Sequence, residues 1–253
     1  MRIDVRKTYK LFIGGQFPRS ESGRSYELLS AKKKFLANPA LASRKDLRDA
    51  VVAARAASEK WASATAFNRS QILYRIAEMM EGRRSQFIEE VVAQEGVSVA
   101  AATKEVDAAI DLWVWYAGWS DKLSSSSGST NQISGPYYNF TSPEPLGIVA
   151  VIAPEKLSLL GFVHAVAPVV IAGNTCVAIA SEPSPLAAMT LAEVIATSDV
   201  PAGVINILTG VKNELLPWVA SHMEIDGIDI SGVDEKTEIE LRISGSENLK
   251  RIH

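Results

Sequence analysis

Ile148-Val-Ala-Val-Ile152, Cys176-Val-Ala-Ile179, Val204-Ile-Asn-Ile-Leu208 and Ile228-Asp-Ile230 are four short apolar runs, each followed by a longer segment of helical spacing. The helices are predicted over Leu159 to Ile171, Pro185 to Thr197, Lys212 to Ser221 and Glu235 to Ile243. A half-exposed strand alternates apolar and polar residues, whereas these runs are apolar at every position but Asn206 and Asp229, as parallel strands covered on both faces are. Alternating strands and helices connect through right-handed crossovers. Residues 146–253 therefore read as an α/β domain with a doubly wound parallel sheet, Rossmann-like in plan.

On the amino side of this stretch the pattern changes. Ser124-Ser-Ser-Ser127-Gly128-Ser129 has the composition of a flexible loop, and Tyr137-Tyr-Asn-Phe-Thr141 that of a hairpin strand, so 123–145 reads as a Ser-rich loop and projecting hairpin. Residues 1–122 are mainly helical. Tyr9-Lys-Leu-Phe-Ile13 followed by Gly14-Gly15 predicts a small β-element and turn. Ser43, with Asp46 three residues on, predicts a capped helix to about Ala64; further helices are predicted over Asn68 to Arg84, Ser85 to Glu95 and Val99 to Leu123. Trp113, Trp115, Tyr116 and Trp119 are helical neighbours and read as packing aromatics.

Composition excludes several classes of function. Lys and Arg total 26 against 29 Asp and Glu, a net charge of -3, so no global positive field exists for nucleic acid or an anionic membrane. The apolar stretch from Leu146 to Ala180 is broken by Pro154, Glu155, Lys156, His164, Pro168 and Asn174, too often for a membrane span. One cysteine, Cys176, permits no internal disulfide, and Met1 to Lys7 lacks the apolar core of a signal peptide, so cytoplasmic residence is expected. Three histidines, His164, His222 and His253, are too scattered for a metal site, and His164, on an apolar helix, reads as an interior residue.

A doubly wound sheet binds ligands beyond the carboxyl ends of its strands. The residues there are Ala153-Pro-Glu-Lys156, Ala180-Ser-Glu182, Thr209-Gly210 and Ser231-Gly-Val-Asp234. Neither a G-x-G-x-x-G nor a G-x-x-x-x-G-K-[ST] follows any strand, so the standard dinucleotide and nucleotide loops are absent.

Glu144-Pro-Leu-Gly-Ile-Val149, Ala172-Gly-Asn-Thr175, Ser181-Glu182, Pro201-Ala-Gly-Val-Ile-Asn206 and Thr209-Gly210 together resemble the aldehyde dehydrogenase superfamily in order and spacing. Leu11-Phe-Ile-Gly-Gly15 and Tyr116-Ala-Gly-Trp119 fit the same family. The resemblance covers almost the whole chain and corresponds to roughly the first half of a family member. It implies an NAD(P)-binding fold, an oligomerisation hairpin near Ser129 to Thr141, and a general-base glutamate and nucleophilic cysteine in segments beyond His253.

Departures from the family pattern shape the functional expectation. Where the resemblance puts an oxyanion-stabilising asparagine, the turn Pro154-Glu-Lys-Leu-Ser158 has Lys156. Where it puts a ribose-binding lysine, Ile179 stands, leaving Ser181 and Glu182 as the remaining cofactor-contact positions on that strand. Gly232 matches the first glycine of the family's pyrophosphate turn, but Val233-Asp-Glu-Lys-Thr237 follows, with two carboxylates where phosphate would sit. Cys176, inside an apolar strand, offers no nucleophile.

No catalytic residue is thus assigned; Ser181, Glu182 and Gly232 are vestigial cofactor positions, and NAD(P) binding is expected to be absent or weak. The expected role is that of a non-catalytic, pseudoenzyme-like subunit, similar to the inactive extra domain of long family members. It would assemble with itself or with a complete aldehyde dehydrogenase chain. The alternative is the amino-terminal component of a split NAD(P)-dependent aldehyde dehydrogenase.

Overall fold

A computed structural model describes residues 7–253. Met1 to Arg6, on which the reading of a leader-free amino terminus rests, lie outside the described residues.

The sheet forms where the four apolar runs predicted it. Strands β5 (Ile148–Ile152), β6 (Thr175–Ile179), β7 (Ile205–Leu208) and β8 (Gly227–Asp229) are parallel, and every residue of β5, β6 and β7 is buried. A short fifth strand that the sequence did not announce, β9 (Arg251–Ile252), extends the edge. The order is β7-β6-β5-β8-β9, with β5 in register against β6 from Ile148↔Thr175 to Ile152↔Ile179. Helices α6 (Ser158–Ile171), α7 (Leu186–Ile195), α8 (Lys212–Ser221) and α9 (Glu235–Ser246) make the crossovers.

Two apolar layers sandwich the sheet. One side packs Val149, Val151, Cys176 and Ala178 with α6, α7 and the amino-terminal helices α2 (Ala66–Glu81), α3 (Arg84–Glu95) and α4 (Val99–Trp119). The other packs Ile148, Ala150, Ile152, Val177 and Ile179 with α8, α9 and α1 (Arg44–Ala62). The alternation of strand residues between two cores keeps nearly every position apolar, and the buried exceptions are satisfied from within: Thr175 Oγ1 donates to the Ala54 carbonyl and Asn206 Nδ2 to the Cys176 and Gly203 carbonyls. The capping box predicted at Ser43 is present: Ser43 Oγ accepts the Asp46 amide and Asp46 accepts the Ser43 amide.

Local differences have local causes. Tyr9 to Ile13 forms no strand of its own; Phe12 bridges Ile207 antiparallel on β7, and Gly14 and Gly15 (φ 58° and 75°) make the expected turn in left-handed conformations. The separate ribbon β1 (Leu28–Leu29) and β2 (Phe35–Ala37) was not foreseen. The Ser-rich segment begins as a short helix, α5 (Leu123–Ser127), because Leu123 packs on the core and holds that turn in place. In the hairpin only Ser129–Thr130 (β3) and Phe140–Thr141 (β4) pair, so Tyr137 and Tyr138 lie outside the ladder.

The aromatic group divides between core and surface, and the reading of His164 is corrected. Trp113 is fully buried, but Trp115, two positions on, is 52% exposed and stacks edge-on against Tyr116. His164 is exposed, not interior, because its position falls on the outward side of α6, beside Asp111, Trp115 and Tyr116 of α4.

Candidate functional site

From β5 the chain winds outward to β6 and β7, then returns to the other side of β5 for β8 and β9. The switch point of the sheet is therefore between β5 and β8, where loops leaving in opposite directions open a crevice. In this chain the crevice holds a side chain of its own.

Lys212, the first residue of α8, is 7% exposed. Its Nζ donates to the Ala153 carbonyl just past β5 at 2.6 Å and to the Gly232 carbonyl past β8 at 3.3 Å, and pairs with the Glu155 carboxylate. An ammonium has three protons, and these three acceptors satisfy them. The arrangement places a cation at the positive end of a helix, against its dipole, so surrounding acceptors must stabilise it.

The three positions singled out from sequence converge on this lysine. Glu182 Oε2 accepts the Lys212 amide at 3.1 Å, capping α8 from the neighbouring loop, and the Glu182 carbonyl accepts the Tyr26 hydroxyl at 3.2 Å. Ser181 is buried, with Oγ 3.3 Å from both the carbonyl and the carboxylate of Glu155, while accepting the Ser184 amide. Gly232 lies so close to the end of β5 that a methyl group there would be 2.1 Å from the Ala153 carbonyl oxygen. Ser181, Glu182 and Gly232 are thus all internally engaged. Burial, then the nearby carboxylates of Glu182 and Glu155, push the Tyr26 hydroxyl well above its ordinary range, keeping it a neutral donor.

Two helix N-termini beside the crevice are also occupied from within. Asp234 caps α9, its Oδ1 accepting the Thr237 amide at 2.8 Å, and hydrogen bonds from Thr237 hold its carboxyl below the usual range. Glu235 and Glu238 add negative charge to the same turn. At α6, Leu157 adopts a left-handed conformation (φ 50°), Ser158 donates its amide to Glu95 at 2.8 Å, and Leu159 and Leu160 donate theirs to Glu105 at 3.0 and 3.3 Å. Burial, then the neighbouring Glu95, raise the Glu105 carboxyl. Lys156, in the turn before α6, is exposed and makes no hydrogen bond or ion pair among the described residues.

Sequence reasoning missed Lys212 as a site residue. The available signal was a lysine opening a helix directly after a strand and a Thr-Gly turn, a place where the dipole disfavours a cation. Cys176 is fully buried, and burial pushes its thiol up to about 12, so it is no thiolate at neutral pH. Among the described residues, no group of three or more His, Cys, Asp and Glu is placed to hold a metal, and no helix is long and apolar enough to cross a membrane.

Comparison with known proteins agrees with this architecture. The profile of the aldehyde dehydrogenase family matches residues 18–253. The chain is 32% identical to retinal dehydrogenase 2 of Homo sapiens over 99% of its length and 48% of that protein's, and 29% identical to an aldehyde dehydrogenase of Aspergillus niger over 96% and 48%. The NAD+ complex structure of an aldehyde dehydrogenase from Bacillus cereus superposes with a TM-score of 0.91 at 26% identity, covering 97% of this chain and 50% of that one. The chain spans about half the length of the curated relatives it matches.

Proposed function

The chain belongs to the aldehyde dehydrogenase family, and from that premise we propose that it is a non-catalytic member, a structural or regulatory subunit acting through assembly with itself or with a complete aldehyde dehydrogenase chain. The observation that carries this reading is the filled switch point: Lys212, held by Ala153, Gly232 and Glu155, occupies the crevice in which a doubly wound sheet takes its ligand. In this reading Ser181, Glu182 and Gly232 are vestigial cofactor positions that now hold the crevice shut. The carboxylates of Asp234 and Glu235 oppose phosphate at α9, and Glu95 and Glu105 take the amides at α6.

The engagement of Ser181, Glu182 and Lys212 with one another and the carboxylates at α9 support weak or no binding of NAD(P), and cytoplasmic residence goes with the same reading. Titration calorimetry with NAD+ and NADP+ is the test. A dissociation constant near 1 μM, roughly -8 kcal/mol, is too tight for a crevice already filled and would overturn the reading. Aldehyde oxidation by the purified chain above a heat-killed control, retained in Cys176→Ser, would overturn it equally.

The identity of Glu182 and Gly232 at family cofactor positions favours a second reading, the amino-terminal component of a split NAD(P)-dependent enzyme. Copurification from the native cell separates the two: a partner carrying only a catalytic half supports the split enzyme, and a complete dehydrogenase or self-assembly supports the subunit.

A further inference from the structure

Away from the crevice, residues 7–10 form a strap fastened to α3 and α7. The Lys7 ammonium donates to Thr190 Oγ1 at 3.0 Å and pairs with Glu193 at 2.8 Å, both on α7, and lies 4.7 Å from the centre of the Tyr9 ring. The Tyr9 hydroxyl donates to Glu90 Oε1 of α3 at 3.3 Å. The strap has space beside it, since residues 7–10 line two cavities of about 350 and 210 Å³. Just beyond, Leu11 is fully buried and Phe12 bridges Ile207 of β7, so the chain is fixed at that end of the strap.

The fastening converges on one carboxylate whose two oxygens are treated unequally. Glu90 Oε1 accepts from Thr190 Oγ1 at 2.8 Å and from Gln86 Nε2 at 3.3 Å, besides Tyr9. Glu90 Oε2 is shut off from solvent and has no hydrogen-bond partner among the described residues. A buried carboxylate oxygen without a donor penalises the ionised form far more than the neutral one. The charged groups of the surrounding network are Lys7 of the strap, Arg83 of α3 and Glu193 of α7; Tyr9, Gln86 and Thr190 are its neutral members. Lys7 and Arg83 are both committed to Glu193, at 2.8 and 2.6 Å. Burial raises the Glu90 carboxyl above the ordinary 4.5, against the opposing pull of Thr190, Lys7, Gln86 and Tyr9.

We propose that residues 7–10 are a proton-fastened strap, closed over a neutral Glu90 and lifting when Glu90 releases its proton to solvent. Lifting takes Lys7 and Tyr9 away from the cluster and hydrates Oε2, so the lifted form has the ordinary carboxyl value and the closed form the raised one. Closure therefore takes up a proton. The closed form is fully favoured below 4.5 and loses ground as pH rises through its own value, by up to about tenfold in the closed-to-lifted ratio per pH unit between the two.

Trypsin cleavage of the full chain after Lys10, followed by mass spectrometry from about pH 5 to about pH 8, reads the lifted population. Glu90→Gln keeps an oxygen for Thr190, Gln86 and Tyr9 but cannot ionise, and the ratio of wild-type to variant rates cancels the protease's own pH dependence. The expected ratio rises at least threefold across that range, while cleavage after Lys60, inside α1, shows no such rise. A ratio constant with pH, or faster cleavage of Glu90→Gln than of wild type at about pH 8, would overturn the proposal. A parallel rise at Lys60 would do the same, because the opening would then be global. The wild-type carboxyl titration, read by carbon NMR, needs no variant: Glu90 should titrate above 4.5, and a value at or below 4.5 would overturn the strap.

Discussion

The carboxyl edge of the parallel sheet and the hairpin between Ser129 and Thr141 differ in where their side chains find partners. At the sheet edge, Lys212, Glu155, Glu182 and Ser181 bond to one another and to loop carbonyls, leaving little to offer a ligand. At the hairpin, Tyr137, Tyr138 and Phe140 are 79, 77 and 61% exposed above a ladder only two residues long. Such a ribbon is marginal in water without something to pack against, and exposed aromatic area of this kind marks interaction surfaces. The side chains at the sheet edge are engaged with one another, while the aromatic rings at the hairpin face solvent. That difference is the physical content of the proposed role in assembly.

The contrast breaks most sharply at Gly232. Adding a methyl group there drives it into the Ala153 carbonyl, so Gly232→Ala should cost about 2–3 kcal/mol through forced backbone shifts, read as a lowered urea midpoint. Lys212→Met keeps the volume but strands the Ala153 and Gly232 carbonyls, and a loss of about 1–3 kcal/mol is expected in the same measurement. The Glu155 partner is 41% exposed and rehydrates, so the Lys212–Glu155 coupling in a double-mutant cycle should stay below about 1 kcal/mol.

At the other region, Tyr138→Asp should leave chain stability within about 0.5 kcal/mol, since the ring is exposed, yet shift sedimentation from dimer or larger toward monomer. Wild-type monomer at tens of micromolar without partner would remove self-assembly and leave hetero-assembly alone. The smallest effect is expected at Glu105. Its folded carboxyl is raised above the ordinary 4.5, so the proton-linked stability is complete below that value and is lost as pH rises through the folded value. Glu105→Gln keeps an oxygen for the Leu159 and Leu160 amides without the charge, so the midpoint should rise modestly at pH 7 and match wild type below pH 4.5.

Most of the sheet was legible because its signal is local and redundant. An unbroken apolar run such as Ile148 to Ile152 has only one stable place, between two helical layers, and the Ser43–Asp46 cap announces its helix in four residues. The edge strand β9 was not legible: two residues carry no periodicity, and Arg251–Ile252 becomes a strand only because β8 offers it an open edge. His164 was misjudged for the related reason that an apolar helix has an outward side, and which side that is depends on what packs against it.

Counting strand ends pointed to the loops that hold Ser181, Glu182 and Gly232, and the resemblance to the family's motifs singled out those three residues within them. What those residues touch was not legible. Lys212 reaches Ala153 across 59 positions and Gly232 across 20, and no spacing rule links residues so distant. Sequence alone determined the four central strands, their parallel burial and the absence of the standard phosphate loops, since these rest on backbone propensity and on residue identities over short windows. Only the tertiary structure decided that the Lys212 ammonium bonds the loops after β5 and β8, because a hydrogen bond needs donor and acceptor within about 3 Å, and that proximity is created when the sheet reverses its winding between β5 and β8.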